Sequence, residues 1–103
     1  MNKIPDILKL KLDRYLHLLE ESGLSIEQAW LFGSFAAGTA TEYSDIDIAL
    51  VSGSFTGNPF EDIELLLEAT VEVDSMLENH TFSSDATDDP FFQEIVRTGI
   101  RLK

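Results

Sequence analysis

With 103 residues, no cysteine and no apolar run near the roughly 20 residues of a membrane span, the chain has room for one hydrophobic core and excludes disulfides, thiolate metal sites and a membrane helix. Its net charge of −12 is unevenly laid out: the seven basic residues are Lys3, Lys9, Lys11, Arg14, Arg97, Arg101 and Lys103, and the 82 residues between Arg14 and Arg97 hold none of them but 17 of the 19 carboxylates. Long nucleic acid, bound through Lys and Arg on phosphates, is therefore disfavoured and a basic protein partner favoured; with no signal peptide, a cytoplasmic protein of one domain, 1–103, is expected.

In chain order, Pro5 to Glu21 predicts a helix, with Ile4, Leu8, Leu12, Tyr15, Leu16 and Leu19 recurring on one face and Gly23 just past its end. His17 falls off this stripe and belongs on the surface. Ser25 to Phe32 predicts a strand, with Trp30 and Phe32 on one face and Ala29 and Leu31 on the other. Gly33-Ser34 breaks it, and a second strand follows over Asp45 to Val51. Ser52 to Asn58 is loop, and Pro59 to about Ala69 is a helix burying Ile63, Leu65, Leu66 and Leu67. Val71 to Glu78 would serve as a continuation of that helix, but the alternation of Val71 and Val73 with Glu72 and Asp74 favours a strand. The acidic stretch Ser83 to Asp89 lacks the glycine and alternation of a calcium loop, and Asp88 or Asp89 caps a helix from Pro90 to Thr98 that buries Ile95, Phe91 and Phe92. Ile100 to Lys103 is a short strand or tail, and His80 structures a turn, with a place near the site as the alternative.

The chemistry is concentrated in Leu31 to Ser52. Residues two apart on a strand share a face, so Asp45 and Asp47 stand side by side while Ile46, Ile48 and Leu50 enter the core. Two such carboxylates invite a hard divalent cation. Gly33 lets backbone approach a bulky ligand, and Ser34 at the start of a helical turn offers a hydroxyl and backbone N–H groups to a phosphate. A third carboxylate would complete a two-metal site for phosphoryl transfer, and Glu72 and Asp74 are the candidates.

Gly-Ser, ten residues and Asp-x-Asp, in strand-turn-strand context, resemble the signature of the DNA polymerase beta nucleotidyltransferase superfamily. The chain looks most like its smallest members, the minimal nucleotidyltransferases encoded beside a HEPN-domain protein. Val73 to Ser83 resembles a stretch of a bacterial subgroup in which an Ile-Asp-Leu-Arg strand leads into a Glu-Pro-His-Pro-Phe turn, which puts Asp74 in the third carboxylate position. The resemblance implies an α/β fold with a mixed, twisted sheet of about four strands and helices mainly on one face. It also implies two Mg²⁺ ions on Asp45, Asp47 and Asp74, with ATP or another nucleoside triphosphate held by Gly33, Ser34 and Ser44.

The implied reaction moves a nucleoside monophosphate, AMP from ATP, to a hydroxyl on a HEPN-domain partner, the chain acting as antitoxin of a toxin-antitoxin pair. Two other readings keep the fold. One is a binding module that silences its partner by occlusion; the other is transfer to a small molecule such as an aminoglycoside, for which a homodimer would have to build the acceptor pocket. Relatives carry a basic residue where this chain has Ala37 and Met76, so activity is expected to depend on a cation supplied by the partner.

Overall fold

The computed structural model describes residues 4–103. Helix α1 (Asp6–Glu21) leads into strand β1 (Gln28–Phe32), the single turn α2 (Ser34–Ala37) and strand β2 (Ile46–Val51). Helix α3 (Pro59–Val73) then crosses to strand β3 (Leu77–Phe82), and helix α4 (Pro90–Thr98) precedes a two-residue strand, β4 (Ile100–Arg101). The four strands form one mixed sheet in the order β3-β2-β1-β4. β1 pairs antiparallel with β2 and β4, and β2 pairs parallel with β3, so the segment between them must recross the sheet, which α3 does.

The two faces of the sheet are covered unequally. Ala29, Leu31, Ile46, Ile48 and Leu50 point to the face under α1 and α3, where Leu12, Leu19 and Leu66 close the larger core. There Tyr15 hydrogen-bonds Thr70 at 2.9 Å and Asn79 at 2.8 Å, joining α1, α3 and β3 at a buried position. Trp30, Ala49, Val51 and Phe82 point the other way and meet α4, through Phe92 and Ile95, with Ala86 packed at the edge. Because α4 is nine residues long, it covers part of that second face. The strand ends beyond it carry Asp47 and Glu78.

Local chemistry explains the boundaries. The Asn58 side chain accepts from the Phe60 N–H ahead of Pro59, and Asp89 accepts from the Phe91 N–H ahead of Pro90, so both helices open with a side-chain cap and a proline in the first turn. The first strand is shorter than the sequence suggests, starting at Gln28. The expected strand over Val71 to Glu78 is corrected: α3 runs on to Val73 and β3 begins only at Leu77. On the helix, Val73 packs against the core and Val71 faces solvent, so the apparent two-residue alternation marks opposite sides of a helix end. The buried side of α3 is set by Asp62, Leu66, Ala69 and Val73, spaced by three and four; Ile63, Leu65 and Leu67 are largely exposed. On α4, Phe92 is buried and Phe91 half exposed. His80 lies within β3 and not in a turn.

Asp62 is 1% exposed, unusual for a carboxylate. It accepts from the backbone N–H groups of Thr56 and Gly57, both at 2.9 Å, and from the hydroxyls of Thr56 and Thr81, thereby tying the loop after β2 to α3 and β3. Burial alone would raise its pKa, but these hydrogen bonds together outweigh it and leave the pKa lowered.

Candidate active site

Asp45 precedes β2 and Asp47 is its second residue, so the two carboxylates lie on the thinly covered face while Ile46 and Ile48 enter the core. Parallel pairing then decides what stands beside them. Glu78 is in register with Asp47, and His80 with Ala49, whose small side chain leaves room. Ligand atoms of Asp47, Glu78 and His80 all lie within 4.8 Å of one another. His80 Nε2 is 3.6 Å from Asp47 Oδ1 and 3.8 Å from Glu78 Oε1, beyond hydrogen-bond length, and it is a buried nitrogen with no hydrogen-bond partner. The imidazole is held in place by edge-on contacts with Phe32 and Phe91, at 5.0 and 5.7 Å between ring centres.

Electrostatics marks the cluster as under-neutralised. Partial burial raises the Glu78 pKa, the Asp47 charge adds to the effect, His80 opposes it, and a hydrogen bond and charge from Asp45 raise it further. Among the described residues the basic side chains are engaged with partners outside this cluster. Lys9 pairs with Asp13, Lys11 with Asp74, Arg14 with Glu72, Arg97 with Glu94 and Lys103 with Glu20, while Arg101 lies over the Trp30 ring.

The glycine turn completes the site. Gly33 has φ +71° and ψ −150°, and a Cβ added to it would lie 2.3 Å from Asp47 Oδ2. Only glycine therefore lets the turn rest against that carboxylate. α2 opens directly after it, and a helix's first N–H groups, here those of Ser34 and Phe35, have no intrahelical acceptor. Ser44 accepts from the Thr41 N–H at 2.8 Å and its own N–H bonds the Thr41 carbonyl at 3.1 Å, which fixes the chain just ahead of Asp45.

Asp74 is placed differently from the other carboxylates singled out in the sequence. It ends α3, accepts from Lys11 Nζ at 2.8 Å and from the Met76 N–H at 2.9 Å, and has its pKa lowered chiefly by the Lys11 hydrogen bond. With Lys11, Ser44, Phe35 and Thr41 it lines an open cavity of about 410 Å³. Glu72 points to Arg14 from an exposed turn of α3. The structure thus brings Asp45 and Asp47 together beside Gly33, and adds Glu78, to which sequence reasoning assigned no role in the site, and His80, expected in a turn with a place near the site as the alternative. The signal was present: Glu78-Asn79-His80 repeats the two-residue donor spacing of Asp45-Ile46-Asp47.

The donor set fits a divalent cation, since the buried, unpartnered Nε2 and the Asp47 and Glu78 oxygens converge without a hydrogen-bond donor between them. No helix is long and apolar enough to cross a membrane, among the described residues. No curated protein matches the sequence significantly. The fold is similar to that of a Sulfolobus solfataricus protein described as a candidate nucleotidyltransferase, with a TM-score of 0.57 and 18% identity over 98% of this chain and 89% of the other. The model of the family described as polymerase beta, nucleotidyltransferase, matches residues 11–103, nearly the whole chain and all of the site, so the chain belongs to the polymerase beta nucleotidyltransferase family.

Proposed function

We propose that the chain is a Mg²⁺-dependent nucleotidyltransferase that moves AMP from ATP to a hydroxyl of a HEPN-domain partner and so acts as the antitoxin of a toxin-antitoxin pair. The observation that carries this reading is the convergence of Asp45, Asp47 and Glu78 beside the Gly33 turn. Asp45 and Asp47 would hold both ions, with Glu78 in place of Asp74 as the third carboxylate. Such ions neutralise triphosphate charge and lower the pKa of an attacking hydroxyl. Gly33 keeps the turn close, the Ser34 hydroxyl and the opening N–H groups of α2 would hold the phosphates, and Ser44 holds Asp45 in position. Asp74 orients Lys11 at the rim of the cavity beside Ser44, where the ammonium would meet phosphate charge.

A protein acceptor suits the surface better than a polynucleotide. Phe60, Ile63, Leu67 and Val71 are exposed along one side of α3, with Glu61, Glu64, Glu68 and Glu72 in a row along one edge of this apolar ridge. The engagement elsewhere of the described basic side chains other than Lys11 supports a partner that brings its own cation into the site, in the manner of an arginine finger.

Intact mass spectrometry of the protein that co-purifies with this chain, before and after incubation with Mg²⁺ and ATP, tests the proposal. Addition of AMP units is expected, and none with the Asp45→Asn/Asp47→Asn double variant. A stable complex whose mass never changes would instead favour neutralisation by occlusion.

A further inference from the structure

We infer that His80 is a direct ligand of the ion drawn to Asp47 and Glu78, and that it gives this site a preference for a first-row transition ion such as Mn²⁺ over Mg²⁺. The inference rests on the reading of the carboxylate cluster as a metal site and deepens it.

The separations carry the first part. Two donors each about 2.1 Å from one ion stand roughly 3.0 Å apart at a right angle and about 4.2 Å apart when opposite. The His80 Nε2 distances of 3.6 Å to Asp47 and 3.8 Å to Glu78 lie inside that window and outside hydrogen-bond range. The buried Nε2 has no hydrogen-bond partner and lies close to both carboxylates, so a cation held between them would also reach this nitrogen. The Phe32 and Phe91 edges fix the ring plane, and Ala49 opposite His80 in the sheet leaves the path clear.

The chemistry carries the second part. Mg²⁺ takes oxygen ligands and gives up its waters reluctantly, so an imidazole adds little to its binding. Transition ions gain from nitrogen ligands, and Mn²⁺ accepts carboxylate and imidazole alike. Asp45, Asp47 and Glu78 alone make a site suited to Mg²⁺; the fourth donor is what discriminates.

The test is titration of the ion-free protein with Mn²⁺, read by the electron paramagnetic resonance signal of the free ion, with Mg²⁺ as competitor. It is run on the wild type, His80→Gln and His80→Asn. Both variants should bind Mn²⁺ about tenfold or more weakly while the Mg²⁺ competition constant changes by less than about twofold. Pulsed resonance of Mn²⁺ on the wild type should show coupling to an imidazole ¹⁴N, a readout that needs no variant to fold. Absence of that coupling, or an equal loss of Mn²⁺ and Mg²⁺ binding in the variants, overturns the inference and leaves the carboxylate site standing. Failure of the wild type to bind Mn²⁺ at all overturns both.

Discussion

Strand β3 serves a carboxylate on each of its faces, and the two are treated in opposite ways. Toward α3, Thr81 donates to Asp62, which also receives two backbone N–H groups and the Thr56 hydroxyl, and whose pKa is lowered. On the other face Glu78 stands among Asp45, Asp47 and a histidine that donates nothing to it, and its pKa is raised. The more deeply buried carboxylate is the more comfortable one. Burial therefore does not decide the sign of the shift here; the supply of donors does. A satisfied carboxylate stabilises the fold, whereas a cluster of acceptors without donors is poised for a cation.

The largest expected effect comes from breaking the satisfied side. Asp62→Ala strands the Thr56 and Gly57 N–H groups and the Thr81 hydroxyl, and should cost on the order of 3 kcal/mol in urea unfolding, as buried groups left unpaired cost about 1–3 kcal/mol each with partial relaxation. The pH dependence follows from its lowered pKa. Its folded pKa lies below the unfolded value, so ionised Asp62 stabilises the protein fully above about pH 4 and loses that contribution as pH falls through the folded value. Between pH 7 and pH 3 the stability of the wild type should therefore fall more steeply than that of Asp62→Ala. Parallel curves would remove the donor-supply account.

On the open side, the close approach of Gly33 to Asp47 can be taken apart in two steps. Gly33→Ala sets a methyl 2.3 Å from Asp47 Oδ2 at a φ of +71°, and should destabilise by about 2 kcal/mol. Gly33→Ala/Asp47→Ala removes the clash but keeps the backbone strain. A double-mutant cycle measured by urea unfolding should return about 1 kcal/mol as the contact share. Zero coupling would mean that the carboxylate swings aside freely and that the turn does not hold it.

Much of this arrangement was legible in the sequence, for physical reasons that also explain the gaps. Asp45 and Asp47 could be placed because Ile46, Ile48 and Leu50 fix the strand's buried face, and that leaves the intervening acids only one direction. Gly33 was identifiable because an apolar strand stops there. Glu78 was not, since its position beside Asp47 depends on the parallel register with β2, and nothing within Val71 to Glu78 states where the helix ends and that register begins. Asp74, chosen by resemblance to a strand motif, instead ends the helix and faces Lys11. Asp62 in the first turn of α3 reads as an ordinary partner of the helix dipole; its burial depends on the Thr56-Gly57 loop folding over it and on Thr81, 19 residues away.

The smallest expected effect is the most direct test of the contrast. A carboxylate whose folded pKa is raised binds its proton more tightly in the folded than in the unfolded state, so stability falls as pH rises through the unfolded and then the folded value. Above both, ionised Glu78 weighs against the fold. Glu78→Gln should therefore be more stable than the wild type at pH 7.5 in chelator. The gain is only a few tenths of a kcal/mol, because the side chain is 52% exposed and solvent screens its neighbours. It should shrink in 1 M salt and vanish near pH 4, as charge repulsion requires. Adding Mn²⁺ should reverse the order, because an ion that binds only the folded wild type raises its stability by mass action and leaves the Gln variant behind. A Glu78→Gln protein less stable than the wild type in chelator would show that Glu78, like Asp62, has donors enough, and the distinction between the two faces of β3 would be lost.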